Sequence, residues 1–67
     1  MILDSYAVKV KMAEAEMNLY KLSELIGISY GQTSSIVKNG TVKTETIGKI
    51  AHALGCAVED IVKKEEA

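Results

Sequence analysis

Residues 27–40 read GISYGQTSSIVKNG, and between Ser29 and Asn39 the only aliphatic side chains are Ile36 and Val37. A chain of 67 residues has few positions to spare from its core, because the fraction of surface buried on folding falls with size. Why so long a run is given to hydroxyls and amides is answered by what flanks it.

Upstream, Asn18 can cap a short helix whose Leu22, Leu25 and Ile26 face inward, and Gly27 can end it. Ser29 can cap the next helix, which Gly40 terminates. A helix, a three-residue turn with a glycine and a capping serine, and a second helix make a helix-turn-helix arrangement over about residues 18–40. The second helix of such a pair protrudes and packs along one narrow side. Its other side chains are free to face a partner, and short hydroxyls and amides suit base edges and phosphates. A helix that merely faced solvent would more often carry Glu, Lys and Ala for propensity.

The surroundings are helical too. In TETIGKIAHALG, residues 44–55, Ile47, Ile50, Ala51 and Leu54 recur at the spacing of one helical stripe. Thr44 offers an N-cap there and Gly55 a left-handed stop. Asp4 or Ser5 can cap a first helix that runs to about Glu16, with Val8, Met12 and Ala15 along one side. AVEDIVKK, residues 57–64, predicts a fifth helix with Val58 and Ile61 or Val62 inward. The expectation is an all-α, compact five-helix domain occupying residues 1–67.

Composition narrows the chemistry. The chain is 48% apolar without proline, Trp or Phe, so its core is aliphatic with Met and Ala filling. Cys56 is the only cysteine and His52 the only histidine, which excludes a disulfide and a four-ligand zinc site. No metal, cofactor or small-molecule ligand is expected. His52 falls on the outer face of its helix with Glu45 and Lys49, Cys56 takes a core position, and Gly48 suits close approach of another helix. No Ser-His-acid or Cys-His constellation stands out, so no catalysis is expected. Apolar runs are far too short for a membrane span, the N-terminus lacks a signal-peptide pattern, and a lone thiol suits a reducing compartment. The expected location is the cytoplasm.

Net charge is −1 overall, yet residues 18–49 carry Lys21, Lys38, Lys43 and Lys49 against Glu24 and Glu45, net +2. The acidic surplus lies elsewhere, at Glu14, Glu16 and from Glu59 to Glu66. A mildly basic middle has the right sign for a polyanionic partner.

From about Val8 to Val62 the chain resembles the lambda-repressor-like, Cro-like (Xre-type) helix-turn-helix family. KLSELIGIS, the NG that closes the next helix, and TIGKIAHALGCAVEDIV carry the resemblance. It implies sequence-specific binding to a double-stranded DNA operator and transcriptional repression, often in phages and mobile elements. Three departures stand out. Ser23 replaces the usual Ala between the two helices. The segment from Gly27 to Gly40 is one residue longer than in many members, which puts Thr33 at a usually aliphatic position. An Arg–Glu pair common in the family is matched by Met12 and Val37, and the chain has no Arg. Losing one partner of a buried pair strands a charge at ~3–5 kcal/mol, whereas replacing both is often neutral. Met12 is therefore expected to pack near Val37.

The resemblance also assigns roles along the chain. Tyr30 opens the recognition helix, where members enter the major groove, unless its ring lies back on the domain surface. Gly31 beside it suits either close backbone approach to DNA or the tolerance of a helix's first turn for glycine. Gln32 can bond bidentately to adenine, with Ser34 and Ser35 as further base contacts. Ser29, Lys38, Asn39, Thr41 and Lys43 flank the recognition helix where phosphates are gripped, and Asn18 heads a helix whose amides can meet another. A single recognition helix covers few base pairs, so a two-fold homodimer is expected, built on the fifth helix around Val58–Val62. Near-neutral charge and the lack of Arg keep an alternative open: a protein-binding module on the same fold, an antitoxin or antirepressor partner.

Overall fold

Asp4, Asn18 and Ser29 each turn a side-chain oxygen onto the free amides of the helix that follows. The computed structural model describes residues 1–64, with helices α1 (Ser5–Glu14), α2 (Leu19–Ile26), α3 (Tyr30–Asn39) and α4 (Thr44–Leu54). Asp4, and not Ser5, caps α1, accepting from the Tyr6 and Ala7 amides at 3.1 and 3.3 Å. Helix α4 lacks the expected Thr44 cap. Thr44 is already helical, Lys43 holds the cap position without a side-chain bond, and Thr41 Oγ1 accepts from the Lys43 amide instead. No helix among the described residues is long and apolar enough to cross a membrane.

One cluster gathers Leu3, Val8, Met12, Leu22, Ile26, Val37, Ile47, Ile50, Ala51 and Ile61. Helix α2 packs on α3 and α4, and α1 packs on α3. Met12 of α1 and Val37 of α3 both lie in this cluster, on helices that pack together. Two polar side chains are buried with their hydroxyls satisfied. Thr33 Oγ1 donates to the Ser29 carbonyl at 2.9 Å and Ser23 Oγ to the Tyr20 carbonyl at 2.7 Å. Those bonds explain how Thr33 can occupy an aliphatic position.

Several apolar expectations shift. Leu25 is half exposed, because α2 buries the stripe of Leu22, Ser23 and Ile26, and Leu25 stands off its edge. Leu54, in the last turn of α4, is only half-buried. No helix comes close at Gly48, where an added Cβ would meet nothing within 4 Å. Cys56 is half-buried against the core. Its thiol pKa is pushed up by burial and by the Asp60 carboxylate, with Lys11 opposing.

The largest correction is at the C-terminal side. No fifth α-helix forms among the described residues: Val58–Asp60 make a single 3-10 turn packed on α4. Asp60 Oδ2 takes the Ala57 amide at 3.2 Å, a local bond that competes with helix extension. The next backbone groups go to the other end of the chain. The Asp4 amide donates to the Ile61 carbonyl and the Lys63 amide to the Ile2 carbonyl, both at 2.8 Å. Leu3 and Val62 thus form an isolated antiparallel bridge. Between Ile61 and Val62, Ile61 is the fully buried one. Leu3 is buried beside it, and its amide donates to the Thr41 carbonyl at 2.9 Å.

Helix α1 stops at Glu14, short of Glu16, because the chain turns left-handed at Glu16, with φ of 52°. The Met17 amide reaches back to the Met12 carbonyl and the Glu16 amide to Ala13. The same pair of bonds closes α4, from Cys56 to Ala51 and from Gly55 to His52, with glycine at the left-handed position. A side chain there costs roughly 1–2 kcal/mol, against a smaller loss of backbone entropy for glycine. Glu16→Gly is therefore expected to stabilise the protein by roughly 0.5–1 kcal/mol. A urea midpoint that falls would contradict this.

Candidate nucleic-acid interface

Helix α3 is nearly all surface. Only Thr33 and Val37 are buried, and Ser34 and Ile36 flank them half-buried. Tyr30, Gly31, Gln32, Ser35, Lys38 and Asn39 are exposed. A helix that buries so narrow a stripe leaves a wide polar face, on which Gln32, Ser35 and Asn39 offer amides and a hydroxyl and Lys38 a charge.

The start of this face is ordered by a local network. Ser29 Oγ accepts from the Gln32 amide at 3.2 Å and lies 3.3 Å from Gln32 Oε1, to which it can donate. The Gln32 carboxamide NH2 has no partner in that network and is free to donate outward. Gln32, Ser35, Thr41 and Lys43 line one open groove with Ile28, Gly31, Ile36 and Thr46. The groove runs between α3 and the first turn of α4. A Cβ at Gly31 would meet nothing within 4 Å, so the protein itself sets no steric demand for glycine there.

Lys38, Asn39, Asn18, Ser29, Ser34 and Tyr30 do not line that groove. Lys38 and Asn39 occupy the last turn of α3, and Lys43 heads α4; all three are exposed. Asn18 is exposed at the head of α2, where its Oδ1 is used on the Lys21 amide at 2.9 Å. Any contact from that helix end would therefore come from backbone amides or from the Asn18 NH2. Thr41 is half-buried, its carbonyl on the Leu3 amide and its hydroxyl oxygen on the Lys43 amide. Tyr30 leaves the groove group. Its ring stacks on Tyr20 of α2, with centroids 4.3 Å apart and planes 21° from parallel.

Sequence pattern alone does not mark Tyr20 or Thr46 as part of this surface. A signal for Tyr20 exists, an aromatic standing off the Leu22 and Ile26 stripe of an amphipathic helix. Thr46 carries none.

The sequence model of the Cro/C1-type helix-turn-helix DNA-binding domain matches residues 7–66. No curated protein and no solved structure matches the chain. With α2 and α3 arranged as a helix-turn-helix and nearly the whole length matched, the chain belongs to the Cro/C1-type helix-turn-helix DNA-binding domain family, whose members are DNA-binding regulators.

Proposed function

We propose that this protein is a sequence-specific repressor of transcription, of phage or mobile-element origin, that reads a double-stranded operator with α3. The exposed face of α3, polar where a solvent helix would carry Glu, Lys and Ala, is the observation that carries this reading. Gln32 and Ser35 contact bases from the groove, with Tyr30 and Ser34 beside them. Lys38, Asn39, Thr41 and Lys43 hold phosphates on one side, and Asn18 and Ser29 hold them at the two helix starts. Operator binding is by a two-fold homodimer, which places two recognition helices about one helical turn apart. Val58 and Val62 are the residues proposed for its interface, since Ile61 between them is fully buried in the core.

Selection of bound duplexes from random sequence tests the reading. A palindromic site that takes two chains supports it; an unselective pool, or one chain on a non-palindromic site, rejects it. Positioning and reading separate on that duplex. Lys38→Ala and Lys43→Ala should weaken binding to selected and scrambled DNA alike, each flattening the log K against log salt slope by about 1. Gln32→Ala should leave the slope unchanged and cost about tenfold on the selected site alone. Equal losses on both duplexes would remove Gln32 from the reading role.

A further inference from the structure

Tyr20 lies on the outward side of α2, and 63% of the residue is exposed. The neighbours on either side of the stripe, Lys21 and Glu24, are exposed as well. Yet the ring is stacked, nearly parallel, on Tyr30 in the first turn of α3. Tyr30 remains 42% exposed with one face covered in this way. An exposed aromatic at the start of a helix otherwise exchanges rotamers on a fast timescale, and ordering it on binding costs affinity. An aromatic pair removes part of that cost in advance.

We propose that Tyr20 is a positioning residue for DNA recognition: it holds the Tyr30 ring in one rotamer across the helix-turn-helix, ready to meet the DNA. The proposal rests on the reading of Tyr30 as a DNA contact. Tyr20 acts through its ring, not its hydroxyl, because the two side chains meet by stacking. It also acts without charge, so it leaves the salt dependence of binding alone.

The test is a double-mutant cycle on the full chain, with Tyr20→Ala, Tyr30→Ala, both together, and Tyr20→Phe. Each is titrated against the duplex selected by the wild-type protein. Tyr20→Ala is expected to weaken binding roughly 3- to 10-fold, with an unchanged salt slope. In a Tyr30→Ala background the same change should have no further effect, and Tyr20→Phe should restore wild-type affinity. Tyr6 is the only other tyrosine. In a Tyr6→Phe background the near-ultraviolet circular dichroism of the pair should therefore collapse in either single alanine variant, while urea midpoints confirm folding. If Tyr30→Ala leaves binding unchanged, Tyr30 is not a contact and its reading fails together with this one. If Tyr30→Ala weakens binding but Tyr20→Ala is silent, positioning alone is overturned. An undiminished Tyr20→Ala effect in the Tyr30→Ala background, or a Tyr20→Phe variant as weak as Tyr20→Ala, also overturns it. Either would mean that Tyr20 touches DNA itself.

Discussion

Replacing Ile50 with alanine is expected to leave the protein largely unfolded at physiological temperature. Ile50 is fully buried at the centre of α4, among Ile47, Leu22, Val8 and Ile61 in the same cluster. Removing its branched side chain loses transfer free energy and leaves a cavity, together ~2–5 kcal/mol. A core of this size, without an internal disulfide, rarely supplies more than ~3–5 kcal/mol in total. The substitution therefore consumes most of the margin. Loss of the cooperative thermal transition would show this, and a melt near wild type would mean that the cluster is not the source of stability. Leu54, one turn further along α4 and half-buried, should cost distinctly less when truncated.

Gly40→Ala is the second large effect, and Gly48→Ala is its control. Gly40 has φ of 82° and ψ of 174°, a backbone region that is essentially glycine's own. A Cβ there would come within 3.1 Å of the Leu3 carbonyl oxygen. Leu3 cannot easily withdraw, because its side chain is buried and its amide is held by the Thr41 carbonyl. Strain and crowding together should reach the upper end of ~1–3 kcal/mol. Gly48 sits inside α4 with open space where a Cβ would go, so alanine there should stabilise by about 0.5–1 kcal/mol. Urea midpoints that move in opposite directions, at constant m value, are the expected outcome. If Gly40→Ala is neutral, the contact between Leu3 and the α3–α4 loop does not constrain that glycine.

The two ends of the chain show what periodicity can and cannot reveal. Caps and stops at Asp4, Asn18, Ser29, Gly27 and Gly55 are local hydrogen-bond chemistry, and each sits where the sequence pattern puts it. The Ile47, Ile50 and Ala51 stripe is likewise a property of one helix. The expected fifth helix fails for a non-local reason. Val58, Ile61 and Val62 have helical spacing, but the backbone of Ile61 and Lys63 finds partners at Asp4 and Ile2. Nothing in the local pattern of either segment announces the other. In the candidate site, the position of α3 follows from its caps. The pairing of Tyr20 with Tyr30 depends on the angle between two helices, which neither helix encodes by itself.

The bridge between Leu3 and Val62 also has a bearing on the order of events during synthesis. Helices α1 to α4 can begin to pack as the chain emerges, since their contacts lie between neighbouring or nearby segments. Leu3 must wait. Its partner lies beyond all four helices, and only when Lys63 has been added can both backbone bonds to the N-terminal segment close. Leu3 is also the residue whose amide holds Thr41, at the mouth of the groove. A chain lacking Ile61 to Lys63 would thus keep its helix-turn-helix without the clasp that steadies the adjoining loop, and closing that clasp would be the step that fixes the loop beside α3.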